Sequence, residues 1–86
     1  YGARIQPAPK ERLQELGVKK GVEVISVGPG KLADAGVTEG FVILYVNNTA
    51  VGTPQAILNI IKKSERAVYV EGISRNGKAS YFGFAK

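Results

Sequence analysis

Seven carboxylates, four serines and the lysines are the side chains of this 86-residue sequence that could act as acid, base or nucleophile. A serine that attacks an acyl group needs a base to take its hydroxyl proton, and the commonest base near neutral pH is an imidazole. The sequence contains no His and no Cys. Those two absences remove the Ser-His-Asp and Cys-His pairs together with imidazole- and thiolate-ligated metals. Catalysis would have to rest on paired carboxylates or a Ser/Lys dyad. Ser26, Ser64, Ser74 and Ser80 stand in no G-x-S-x-G elbow, and no spacing pairs any of them with a lysine. The acids Glu11, Glu15, Glu23, Asp34, Glu39, Glu65 and Glu71 are scattered, mostly beside Lys or Arg, as on a solvated face rather than in an acid/base pair. The reading is a non-enzyme with no metal and no cofactor.

The net charge is +5, with a pI near 9.7. Such a balance invites a nucleic-acid or anionic-membrane partner. Its placement argues against both: Lys19-Lys20 and Lys62-Lys63 are the basic pairs, the other cations stand singly, and no aromatic-rich RNA motif or helix-turn-helix pattern accompanies them. No apolar run approaches the roughly 18 residues of a membrane span, and no signal-peptide pattern opens the chain. The lack of Cys excludes a disulfide framework but leaves the compartment open. With 44% hydrophobic and 22% charged residues, the composition is that of a folded domain. At this length it forms one domain, 1–86, with one modest core, burying about two-thirds of the surface its unfolded form exposes. The chain starts at Tyr1 rather than Met, and we read it as a segment of a longer protein.

The elements that must position any site follow from periodicity and punctuation. Ala3, Arg4, Ile5 and Gln6 form a short strand ended by Pro7 and Pro9. A helix follows, with Pro9 in its first turn, Leu13 and Leu16 on one face, and Gly17 as a left-handed stop before Val18. Residues 22–27 alternate as a β-branched strand that ends at Gly28-Pro29-Gly30. A short helical turn at 31–35 stops at Gly36, and Gly40 precedes the apolar strand 42–46, which turns at Asn47-Asn48. Thr53 caps a helix 54–63 that begins with Pro54 and ends in Lys62 and Lys63, cations suited to the negative end of the helix dipole. Strands 67–74 and 79–84 flank Asn76-Gly77, a strong hairpin signal. Leu13, Leu16, Val22, Val24, Val27, Leu32, Ile43, Val46, Val68, Val70 and Phe82 read as core. The order predicts an α+β domain, a partly open antiparallel barrel or sandwich of five or six strands capped by two or three helices.

The run 21–51, G-V-E-V-I-S-V-G-P-G-K-L-A-D-A-G-V-T-E-G-F-V-I-L-Y-V-N-N-T-A-V, resembles the signature of bacterial PDZ domains. There a strand, a Pro-Gly turn, an A-x-x-A-G turn, a G-D-x-I lead into the next strand and a V-N-G turn follow at this spacing. The order of elements resembles the permuted bacterial arrangement. The opening Tyr1-Gly2-Ala3-Arg4-Ile5-Gln6 is similar to the start of the second, C-terminal PDZ domain of HtrA/Do/DegQ-type serine proteases. Phe41 stands where the family usually has Asp, so a surface or core apolar contact replaces an acidic one. The hydrophobic-glycine-hydrophobic carboxylate loop is represented by Tyr1-Gly2-Ala3, in which Ala3 is small.

The resemblance implies a groove between strand 3–6 and helix 54–63, in which a peptide adds as a further strand. Tyr1, Ala3 and Ile5 share one strand face, and the amides of Gly2 and Ala3 would form a small anion nest for a C-terminal carboxylate. Arg4 lies beside the groove. On the helix, periodicity places Pro54, Leu58 and Ile61 on one stripe, with Lys62 next to it, and turns Ile57 and Ile60 toward the core. Four apolar residues in five exceed what one face needs, and the alternative is that all four are core. Tyr1 is either a pocket wall or a free terminal residue.

Three functions remain open on this reading. The domain regulates a periplasmic or envelope protease by binding apolar C termini or unfolded segments; or it is a scaffold with a vestigial groove that contacts neighbouring protease and PDZ domains or other subunits of an oligomer; or it is a basic nucleic-acid or membrane-surface binder. The resemblance favours the first two. The purified chain is expected to show no proteolysis of unfolded, casein-like substrates. Turnover above a mock preparation, lost on replacing any one of the four serines, would overturn that expectation.

Overall fold

The computed structural model describes residues 3–85. Capping chemistry sets the helix ends. Helix α1 (Lys10–Leu16) follows Pro9, which is extended and stands as the N-cap, one residue before the first turn where the sequence suggested it. Gly17 closes α1 at φ 70°, and the Val18 N–H donates to the Leu13 carbonyl at 3.0 Å. Helix α2 (Lys31–Ala35) ends at left-handed Gly36. In α3 (Pro54–Lys63) the Thr53 hydroxyl accepts from the Ala56 N–H at 3.2 Å, and Pro54 occupies a first-turn position where an amide would have no helical partner.

Among the described residues six strands form one antiparallel sheet, five of them in the order β1-β2-β3-β5-β6: β1 (Ala3–Pro7), β2 (Val22–Val27), β3 (Val42–Val46), β5 (Ala67–Ile73) and β6 (Ala79–Ala85). The two-residue β4 (Thr49–Ala50) pairs with β3 and is too short for an alternation signal to reveal it. It follows directly on Asn47 (φ 50°) and Asn48 (φ 66°), whose left-handed conformations make the tight β3–β4 turn. The β5–β6 hairpin runs in register from Ala67 opposite Ala85 to Ile73 opposite Ala79. Helix α3 packs against β1, and α2 meets β6.

Pro7 does not end the first strand; it is its last residue, opposite Val22. A proline is tolerated where its missing N–H would have pointed away from the neighbouring strand, and β1 is an edge strand.

The core is built mainly from valines: Val22, Val24, Val42, Val46, Val51 and Val68 are fully buried, as is Phe41. Phe41 takes the core alternative of the two that its substitution for the usual Asp left open. Its ring meets Phe82 edge to face at 5.3 Å between centroids. Gly72 makes this possible, because a Cβ there would run into the Val42 carbonyl oxygen and stand 2.8 Å from the Phe41 ring. Leu13 and Leu16, read from sequence as core, are only half-buried and stand outside the central cluster, since α1 is a two-turn helix on the flank with no buried residue. Val27, Leu32 and Phe82 are half-buried residues packed against the core. Val37, Val42 and Val51 are core residues that the sequence reading did not include.

Helix α3 divides its apolar residues differently from the sequence expectation. Ile57 and Ile61, four apart, are the buried pair; Ile60 is half-buried and Leu58 is 44% exposed. Two buried residues at i and i+4 define the core stripe, and Ile60 lies beside it with Ala56. Asn47 fixes the far end of this helix: its amide Nδ2 donates to Ser64 Oγ at 2.7 Å, and Ser64 Oγ donates to the Ile60 carbonyl at 2.8 Å. The same amide's oxygen accepts from the Tyr69 N–H at 2.8 Å.

In urea unfolding, Ile57→Ala and Ile61→Ala should each lower stability by about 2–5 kcal/mol, whereas Leu58→Ala should lower it by about 1 kcal/mol or less. Equal losses at 57 and 58 would contradict this division of the helix.

Candidate functional site

The free edge of β1 can be oriented from the strand behind it. Val24 donates its N–H to the Phe41 carbonyl at 2.8 Å and accepts at its own carbonyl from the Gly40 N–H at 2.9 Å, so its main chain is turned away from β1. Ile5 lies opposite Val24, and its N–H and C=O therefore point outward to the free edge. Ala3, two residues earlier on the same strand, has the same orientation, and so has Pro7 two residues later, without an N–H. The irregularity between Arg4 and Ile5 falls on β2, where Ile25 is skipped, so β1 keeps its alternation. Among the described residues the outward template is thus two complete amide–carbonyl sets and one further carbonyl.

Beside that edge is an apolar cavity of about 90 Å³ lined by Ala3 and Ile5 of β1 and by Ile57, Leu58 and Ile61 of α3. Leu32, Ile43, Val68, Val70 and Phe84 complete its lining. No charged residue among those described lines it. The side chains that line the cavity from β1 belong to the residues whose main chain faces outward, so a strand laid along this edge would set alternate side chains toward the pocket.

Among the residues expected at the site, Ala3, Ile5, Leu58 and Ile61 line this pocket together. Leu58 stands exposed, whereas Ile61, 9% exposed, belongs to the core as well as the lining. Pro54 is half-buried and outside the lining. Arg4 is exposed, on the strand face opposite to Ala3 and Ile5. Lys62 is exposed, one helical turn beyond Leu58 and also outside the lining. Tyr1 and Gly2, and with them the carboxylate loop, lie outside the described residues.

The sequence reading missed Ile57 as a pocket residue and the contributions of Leu32, Ile43, Val68, Val70 and Phe84. The signal for three of them was present: alternation in the last two strands sets Val68, Val70 and Phe84 on one face.

Three of the four serine hydroxyls, those of Ser64, Ser74 and Ser80, are engaged locally. Ser64 donates to the Ile60 carbonyl, Ser74 to the Asn76 side-chain oxygen, and Ser80 to the Lys78 carbonyl at 3.4 Å. What the groove offers is main-chain pairing and apolar contact.

No protein-family model and no curated protein matches the sequence. A solved structure does: the crystal structure of the HtrA3 PDZ domain bound to the phage-derived ligand FGRWV. Its TM-score is 0.80 at 20% sequence identity, over 98% of this chain and 80% of that one. The chain has the fold of a PDZ domain.

Proposed function

We propose that this domain is a non-catalytic peptide-binding module that captures apolar C-terminal or unfolded segments by strand addition to β1. The observation that carries the reading is the coincidence of the outward main chain of Ala3 and Ile5 with an apolar pocket walled by the same two residues and by α3. The peptide held by the HtrA3 PDZ domain supports it by likeness of fold. The finer context we propose rests on the resemblance of residues 1–6 and 21–51. In that context the module regulates a bacterial HtrA/DegQ-type serine protease in the periplasm or cell envelope, serves protein quality control and contacts neighbouring protease and PDZ domains.

The size of the template bounds the affinity. A short peptide gains a few main-chain hydrogen bonds of about 0.5–1.5 kcal/mol net each, and one or two apolar anchors of about 1.5–3 kcal/mol each. Ordering the peptide offsets much of that gain. Arg4 and Lys62 add a preference for an acidic residue upstream, worth at most about 1 kcal/mol for an exposed pair.

Calorimetry at moderate salt should therefore give a dissociation constant of roughly 10 μM to 1 mM for a peptide ending in Phe or Leu. The C-terminal amide and an Ala-ended analogue should both bind more weakly. Indistinguishable results for all three would remove the groove reading and favour a scaffold role.

A further inference from the structure

Among the described residues β6 is the second edge strand of the sheet, and over Ala79–Gly83 it is built differently from the first. Edge strands are usually protected by charge, proline or a bulge. The β1 edge has Arg4, Pro7 and a break in its pairing with β2 at Arg4/Ile5. The other edge, β6, runs for seven residues, Ala-Ser-Tyr-Phe-Gly-Phe-Ala, with no charge, no proline and unbroken pairing to β5.

The orientation of its main chain follows from two hydrogen bonds. At the hairpin the Ser74 N–H donates to the Lys78 carbonyl at 2.8 Å, so Ser74 and Lys78 are a bonded pair. At the other end the Tyr69 carbonyl accepts from the Asn47 N–H and the Tyr69 N–H donates to Asn47 Oδ1, which turns the Tyr69 main chain away from Gly83 opposite. Alternation between these fixed points makes Ser80 and Phe82 the residues bonded to β5 and directs the N–H and C=O of Ala79, Tyr81 and Gly83 outward. All three residues are exposed. Gly83 has no side chain, so its exposure is that of the backbone itself.

We propose that this edge pairs with the same edge of a second copy of the chain, antiparallel and centred on Tyr81. Ala79, Tyr81 and Gly83 are evenly spaced, so a two-fold axis through Tyr81 sets Ala79 of each chain against Gly83 of the other and pairs the outward groups of these three residues. Charge permits it although each chain carries +5. Lys78, which immediately precedes β6, falls opposite Phe84 of the partner subunit and stands about 20 Å from its own mate along the strands. That separation is more than twice the Debye length of about 8 Å at physiological salt.

Two tyrosines favour the same register. Tyr81 is 60% exposed and stacks on Tyr69, itself 48% exposed, at 6.1 Å and 17° between ring planes. Pairing brings the two Tyr81 rings into a cross-strand pair and extends each stack into a row of four. A lone peptide suits this edge less than it suits β1. The depression beside Ala79 and Tyr81 is lined by strand residues, Leu44 and Tyr45 of β3 and Glu71, Gly72 and Ile73 of β5, and no described helix residue walls it as α3 walls the pocket at β1.

Sedimentation equilibrium of the whole chain should show a reversible dimer with a dissociation constant of about 10 μM to 1 mM, as a contact smaller than a standard interface implies. Amide exchange at Ala79, Tyr81 and Gly83 should slow as protein concentration rises, while Ser80 and Phe82 stay unchanged. Tyr81→Lys places two like charges on the axis, and Ala79→Pro removes an outward N–H that β5 does not use. Each should weaken the dimer at least tenfold, with the unfolding midpoint of Ala79→Pro serving as the check on folding. A chain that stays monomeric at 1 mM would overturn the proposal. So would a dimer that neither variant weakens, or exchange protection that appears at Ala3 and Ile5 instead.

Discussion

Four hydrogen bonds centred on Asn47 and Ser64 decide where α3 stands, and the groove is defined by where α3 stands. Asn47 exchanges main-chain and side-chain bonds with Tyr69 on β5 while its amide N–H holds Ser64, the C-cap of α3. Ser64 in turn holds the Ile60 carbonyl. Position 47 therefore needs a side chain with both a donor and an acceptor, on a residue that tolerates a left-handed backbone. Asparagine meets all three demands: aspartate lacks the donor and glycine lacks the side chain. One residue at a tight turn thus couples the sheet to the helix that walls the pocket.

The packing of the core on the sheet depends on a missing side chain. Gly72 lets Phe41 lie against the β5 backbone, and Phe41 braces Phe82 of β6. The same strands supply Val68, Val70 and Phe84 to the cavity lining. The core and the pocket are consequently two levels of one packing arrangement, and Ile57 and Ile61 belong to both.

Much of this was legible in the sequence because local chemistry and tertiary demand coincide. Gly17, Gly36, Asn47-Asn48, Thr53-Pro54 and Asn76-Gly77 mark breaks that the fold uses as such. The main strands and α3 follow from periodicity. What escaped was decided by neighbours far away in the chain. Periodicity alone could not say which of Ile57, Leu58, Ile60 and Ile61 would meet β1, because all four are apolar and the answer depends on the tilt that Ser64 and Asn47 impose. Leu13 and Leu16 have the spacing of a core face, but a two-turn helix on the flank has too little cover to bury them. Pro7 looked like a stop, since a sequence does not show which side of a strand will be left without a neighbour.

That proline also sets a limit in time as well as in space. Among the described residues only Ala3 and Ile5 offer both an amide and a carbonyl, and from Pro7 onward an added strand loses a hydrogen-bond donor, so a ligand extended past Pro7 gains little further main-chain pairing. On the proposed reading, residence is governed by two residue positions, whatever the length of the captured chain. With association near 10⁵–10⁷ M⁻¹s⁻¹, contacts of this strength break roughly once to ten thousand times per second. A long unfolded chain would then be sampled by repeated brief contacts along its length, and successive segments could be released and caught again without the whole chain being let go.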